Sequence, residues 1–266
     1  MNTDFHIHSS LSADSDSPME DMIKQGIRLG LSVMCFTEHM DFGYIDEGLN
    51  FELDTEAYYQ TYKVMKERYE DNIQLLFGVE LGLQPQLAQK HRQYLSSYPF
   101  DFCIGSSHLV DGTDPYYPKF YEGRSEEACY RRYFFSILEN LNAFSDVDAY
   151  GHIDYVVRYG PNKNAFYSYE RYRDVIDEIL KLLIEKGIAL EVNTAGYKYG
   201  LGAPNPHPDI LKAYHRMGGE LLTVGSDAHR PEHLAYDFQK VTPLLRECGF
   251  KAYTVFEKRV PRFLPL

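Results

Sequence analysis

Two histidines one residue apart, His6 and His8, close the short apolar run Asp4-Phe5-His6-Ile7-His8. Side chains alternate with period two along a strand, so both imidazoles fall on one face and form a chelate for a metal ion. Further ligand types recur along the chain. His39, Glu80, His108, His152, Asp227 and His229 each follow an apolar run directly. Taken singly, such a histidine is more often a hydrogen-bonded wall residue than a ligand. Their shared position is what points to a polynuclear metal site, because unrelated structural histidines have no reason to gather at one end of six strands. Imidazole and carboxylate donors without cysteine suit zinc, iron or manganese and do not resemble a structural zinc cage. The ligands are too many for one ion. A single Glu80 can bridge two metals, and two metals about 3.5–4 Å apart can share a hydroxide aimed in line at phosphorus.

Such residues need strands to carry them and loops to spread them. Apolar, strand-like runs are expected at 4–8, 31–37, 73–79, 101–105, 147–150, 188–192 and 220–224. Helical spacing or helix punctuation separates them, over 17–29, 55–70, 85–97, 124–142, 169–186, 208–217 and 231–247, with an interruption near Pro243. Gly30 and Gly187 stop two of these helices. An eighth apolar run, Phe250 to Phe256, has no settled place. Strands alternating with helices over 266 residues predict an α/β fold, one (β/α) barrel domain spanning 1–266. In barrels the C-terminal strand ends are the chemical face, which is where every candidate ligand lies. The connection 110–123 is long and without periodicity, as functional loops are.

Composition narrows the function classes. The chain is 44% hydrophobic and 25% charged, ordinary for a globular protein. No run approaches a membrane span and no apolar leader precedes the first strand, so a cytoplasmic protein without a membrane partner is expected. A net charge of -12 counts against a sequence-independent grip on nucleic acid. Cys35, Cys103, Cys129 and Cys248 form no C-x-x-C pair and read as buried small hydrophobes in a reducing compartment. Tyrosines such as Tyr58, Tyr59 and Tyr62, among 23 in the chain, fall at helical spacing and are expected to be half-buried, with their hydroxyls in water.

The motifs His6-Ile7-His8, Asp14, Thr37-Glu38-His39, Gly78-Val79-Glu80, Ser107-His108, Gly151-His152 and Gly225-Ser226-Asp227-Ala228-His229 resemble those of the polymerase and histidinol phosphatase (PHP) superfamily over nearly the whole chain. Chain length, Leu81 to Pro85, Phe120 to Gly123 and Asn193 to Gly196 resemble its histidinol-phosphate phosphatase branch. The resemblance implies a distorted (β/α)7 barrel with three divalent or trivalent metal ions. His6, His8, Glu80 and Asp227 would hold one, Glu80, His108 and His152 the second, and Asp14, His39 and His229 the third. Many relatives place a histidine where Asp14 stands, and Asp16 lies close enough to be the alternative.

Arg158 and Lys198 both follow strand ends, where they reach a phosphate as a fork and a point charge respectively. Either can also be a solvated loop charge. The reading is hydrolysis of L-histidinol phosphate, a small phosphate monoester, in histidine biosynthesis. Glu80, Asp227, His229 and Arg158 are its expected catalytic group, while His39, Asp41, Tyr121 and Glu122 are candidate substrate contacts. A broad-specificity phosphatase or a nucleotide or DNA-end phosphoesterase of the same superfamily would leave a similar sequence. A metal-dependent barrel isomerase or aldolase, with Lys198 as base or Schiff-base former, and a non-catalytic metal-binding barrel are the rivals from other classes. The oligomeric state is open.

Overall fold

The computed structural model describes residues 1–46 and 48–266. Seven parallel strands follow one another around a single sheet in chain order: β1 Thr3–Ile7, β2 Val33–Met40, β3 Gln74–Gly82, β4 Phe102–Ser106, β5 Ala149–Tyr150, β6 Ala189–Asn193 and β7 Leu222–Gly225. The ring closes through one parallel bridge, Ile7 to Ala228. There the His8 amide donates to the Ala228 carbonyl at 2.9 Å, and the Asp227 amide donates to that of His6 at 2.8 Å. This is the distorted seven-stranded barrel of the sequence reading, closed by the tail of β7 rather than by its ladder.

The connecting helices are α1 Met19–Arg28, α2 Thr55–Tyr69, α3 Ala88–Leu95, α4 Glu126–Ala143, α5 Arg173–Lys186, α6 Pro208–Arg216 and α7 Phe238–Glu247. Each lays an apolar stripe on the sheet. In α5 this is Val175, Ile176, Ile179, Leu180 and Leu183, and the helix ends where Gly187 takes the left-handed conformation that returns amides to Ile184 and Leu183. Asp54 and Ser125 cap α2 and α4 by accepting from the amides of Ala57 and Ala128. The expected helices at 85–97, 169–186 and 231–247 begin as 3-10 turns before their α portions. Among the described residues no helix is long and apolar enough to cross a membrane.

Two expected strands are too short. β2 and β3 run on past their apolar stretches to Met40 and Gly82, and in their register His39 lies opposite Glu80. The ladder continues because the polar residues still have a buried interior to face, so loss of apolarity did not mark the strand end. Tyr58 and Tyr62 are fully buried rather than half-buried. Their hydroxyls bond to strand carbonyls, that of Tyr58 to Phe36 at 2.9 Å and that of Tyr62 to Leu75 at 3.1 Å. All four cysteines are buried and free.

The eighth apolar run is not a barrel strand. It forms β8 Ala252–Glu257, paired antiparallel with β9 Val260–Pro265 across a turn in which Lys258 and Arg259 both have positive φ. This hairpin covers the N-terminal end of the barrel. Thr254 Oγ1 accepts from the Leu222 amide at 3.2 Å, the Lys258 amide donates to Asp101 at 3.0 Å, and Phe256 packs on Phe102 at 5.2 Å between ring centres. The opposite end is left open.

Candidate metal centre

At that open end the first strand departs from simple alternation. The β1–β2 register shifts between Asp4 and Ile7, so Phe5 meets Phe102 in the apolar floor while His6 still faces the centre. Asp4 is thereby freed to tie the barrel seam, accepting from the Ser226 amide at 2.9 Å and the Ala235 amide at 3.0 Å. His152 and Asp227 also hold left-handed backbone, with φ of 23° and 54°, a strain characteristic of functional positions.

Glu80 is the hub. Its Oε2 lies 3.0 Å from His6 Nε2, 3.5 Å from His8 Nε2 and 3.2 Å from His39 Nδ1. Its Oε1 lies 3.0 Å from His152 Nε2 and 3.3 Å from His108 Nε2. Each carboxylate oxygen therefore serves a different set of imidazoles, the geometry a bridging ligand requires. Burial pushes the Glu80 carboxyl up, but His6, His108 and His39 outweigh it and hold the group well below the usual carboxylate range.

The tautomers are set from behind. His6 Nδ1 bonds to Glu191 Oε1 at 2.5 Å, His108 Nδ1 to Asp41 at 2.7 Å and His8 Nδ1 to Ser12 Oγ at 3.2 Å. His229 Nδ1 bonds to the Asp227 carbonyl at 3.2 Å. Carboxylate and carbonyl oxygens only accept. The Ser12 hydroxyl donates to Glu38, so it accepts from His8. All four rings therefore carry a proton on Nδ1 and turn Nε2 toward the centre, an arrangement that also orients metal-binding histidines elsewhere.

Asp14 Oδ2, not Asp16, reaches the histidines, standing 3.0 Å from His229 Nε2 and 3.5 Å from His39 Nε2. His6, His8 and Glu80 form one group close enough to share an ion, and Glu80, His108 and His152 form another. His6, His152 and Asp227 form a third group, His8, His39 and His229 a fourth, and His39, Asp41 and His108 a fifth. The donor set fits metal ions. His8 Nε2 is buried without a hydrogen-bond partner, and the His8 ring stacks at 4.2 Å on both His39 and His229. Burial, with His39 and His229 adding to it, holds His8 well below its ordinary value and therefore neutral. Burial pulls His6, His39 and His108 down as well, but the carboxylates around them, Glu191, Asp14 and Asp41 foremost, hold these three above their ordinary values, so the centre pairs inward-facing imidazoles with buried carboxylates, a donor set suited to shared cations.

Asp227 divides its two oxygens. Oδ1 faces His6 at 3.8 Å and His8 at 3.7 Å, while Oδ2 accepts from Arg158 Nη1 at 2.8 Å. Arg158 is buried and lines a cavity of about 440 Å³ together with Asp14, His39, Glu80, His108, His152, Asp227 and His229. Nε and Nη2 go to Asn205 and Asn193, so three of the five guanidinium N–H groups are engaged and two remain. Lys198 lies half-buried over the Tyr199 ring, 5.3 Å from its centre, just behind that cavity wall. Burial, aided by Arg158, lowers its ammonium group, and Asp227 and Asp14 oppose the shift.

Three expected substrate contacts are placed elsewhere. Asp41 is buried behind His108 and acts on that ring. The Tyr121 hydroxyl bonds to the Val156 carbonyl at 3.2 Å, Glu122 is exposed, and neither lines the cavity. The outer wall instead comes from Tyr44, Asp46 and Phe51 after β2 and from Asp114, Tyr116 and Tyr117 in the 110–123 connection. The two loops are tied by the Tyr44 hydroxyl bonding to Asp114 at 2.8 Å and by Tyr117 bonding to Asp46. Sequence reasoning also missed Glu191, although a carboxylate inside the apolar run Ile188 to Val192 was its signal.

Comparison with known proteins agrees with this geometry. The PHP domain model matches residues 4–195. The histidinol-phosphatase of Lactococcus lactis is 31% identical over 254 residues, covering 95% of this chain and 93% of its own length. A Clostridium acetobutylicum relative is 31% identical over 260 residues, 98% of each chain. The crystal structure of the L. lactis histidinol phosphate phosphatase, complexed with zinc, L-histidinol and phosphate, superposes with a TM-score of 0.91 at 30% identity and 98% coverage of both chains. A Listeria monocytogenes structure, 18% identical with a TM-score of 0.78, covers 90% of this chain and 99% of its own and shares the fold. Motifs, barrel and ligand cluster agree with the model match and the full-length relatives, and the chain belongs to the PHP domain family.

Proposed function

We propose that this chain is a metal-dependent phosphomonoesterase that hydrolyses L-histidinol phosphate to L-histidinol and phosphate. The observation that carries the reading is the pairing of Glu80, facing five imidazoles through both oxygens, with a buried arginine that keeps two N–H groups beside the same cavity. His6, His8, Glu80 and Asp227 would hold one ion, Glu80, His108 and His152 a second, and Asp14, His39 and His229 a third. The class is zinc, iron or manganese. When bound, such ions neutralise phosphate charge and bring the pKa of water near 7.

The chain's own groups do the rest. Arg158 fixes the orientation of the phosphate through its remaining N–H groups, and its bond to Asp227 keeps the guanidinium beside the ligand cluster. Lys198 adds a second positive charge behind the wall. Asp46 and Asp114, set among Tyr44, Phe51 and Tyr117, give the outer wall the acidic and aromatic character suited to an imidazole and an ammonium group.

The test is phosphate release from a panel of monoesters: histidinol phosphate, nucleoside monophosphates and sugar phosphates. Histidinol phosphate is expected to have the highest kcat/KM. Preference for a nucleotide or a sugar phosphate would overturn the substrate assignment.

A further inference from the structure

Arg158 can present its two remaining N–H groups only if the other three hold the guanidinium in one plane. Their acceptors come from three segments: Asn193 at the end of β6, Asp227 after β7, and Asn205 in the loop before α6. The amide of Asn205, like that of Asn193, works only one way round. Its Oδ1 accepts from Arg158 Nε at 2.8 Å, and its Nδ2 donates to Asp154 Oδ1 at 2.6 Å. Arginine only donates and a carboxylate only accepts, so Asp154 dictates which end of the amide meets the guanidinium. Asp154 is buried and does not line the cavity, and its other oxygen is taken by the His207 amide at 2.9 Å and the Tyr167 hydroxyl at 3.2 Å.

We propose that Asp154 is a positioning residue for phosphate recognition, acting on Arg158 through the amide of Asn205. The inference rests on the reading of Arg158 as a phosphate ligand. Without the carboxylate, Asn205 Nδ2 keeps only the longer bond to the Asp154 main-chain carbonyl at 3.4 Å, the amide is held less firmly against Nε, and the guanidinium is freer to leave the plane it shares with Asn193 and Asp227.

The polarity of this relay can be reversed. Asn205→Asp alone sets two buried carboxylates against each other. In Asp154→Asn/Asn205→Asp the amide nitrogen at 154 donates to the carboxylate at 205, whose other oxygen accepts from Arg158. The amide oxygen at 154 still accepts from His207 and Tyr167.

The experiment measures Kd for inorganic phosphate on the metal-loaded full chain, with metal content, kcat and KM for histidinol phosphate on the same preparations. Asp154→Ala and Asn205→Asp are expected to weaken phosphate binding by about tenfold or more at unchanged metal content, and the exchanged pair to return it to within about threefold of wild type. A folded, metal-loaded exchanged pair that binds phosphate as weakly as Asn205→Asp would overturn the proposal. So would an unaltered Kd in Asp154→Ala; if that variant does not fold, the comparison of Asn205→Asp with the exchanged pair decides. Arg158→Ala is run alongside. Impaired binding there, with none in the relay variants, refutes the positioning role alone, whereas wild-type binding in Arg158→Ala overturns the phosphate-ligand reading and the relay with it.

Discussion

Glu191→Gln isolates one link between the second row of residues and the metal centre. Glu191 accepts on both sides, with Oε1 bonding to His6 Nδ1 at 2.5 Å and Oε2 accepting from the His152 amide at 2.8 Å and Asn193 Nδ2 at 3.1 Å. Glutamine has one acceptor oxygen. Turned toward His152 and Asn193, it presents an NH2 to His6 and forces the ring to move its proton to Nε2, the nitrogen that faces Glu80. Turned the other way, it sets its NH2 against two donors in a buried site. The first option loses one hydrogen bond to a charged group, about 1.5–3 kcal/mol, and the second loses two. The tautomer change is therefore expected, and with it a loss of metal affinity of about 10–100-fold, or roughly 1.4–2.7 kcal/mol. Competition against a chelator of known affinity, read by metal content, measures this directly. Unchanged affinity in a folded Glu191→Gln would refute the claim that Glu191 sets the His6 tautomer.

Three further outcomes follow from the same geometry. Arg158→Ala should weaken phosphate binding roughly 100-fold, and Arg158→Lys should recover little of it because one ammonium group cannot span Asn205, Asn193 and Asp227, as competitive inhibition by phosphate will show. In Gly225→Ala the new Cβ would lie 2.2 Å from His6 Cβ and 3.0 Å from Glu191 Oε1, so metal content and activity should both collapse. His91 is buried between Phe42 and Phe144 without hydrogen-bond partners, and burial lowers its pKa to about 4 from 6.5. Below pH 6.5 the unfolded chain takes up a proton that the folded chain refuses, so stability falls as pH drops toward 4. The loss between pH 7 and pH 5 is about 2 kcal/mol, and denaturant titrations of His91→Leu should show a pH dependence smaller by that amount.

The metal ligands were legible because histidine and carboxylate at the end of an apolar run contradict the run, and such contradictions at the ends of six strands describe one end of a barrel. The rest depended on contacts distant in sequence. Ser12 and Asp41 hold the His8 and His108 rings from positions with no local mark of that task. Tyr121 and Glu122 drew attention by lying in a long loop, but the segment that reaches the cavity is the preceding Asp114 to Tyr117. Strand ends misled wherever apolarity was taken as the condition for a ladder: β2 and β3 carry Glu38, His39 and Glu80 inside the sheet, because His39 faces Glu80 and Glu38 accepts from Ser9 and Ser12 rather than from water.

That ions shared around Glu80 carry the activity is tested by one titration: histidinol phosphate turnover of metal-stripped protein against metal bound per chain. Activity should remain near zero at low occupancy, rise only as more than one ion per chain is bound, and be lost again to chelator. Full activity with less than one ion per chain, or activity indifferent to chelator, would contradict it.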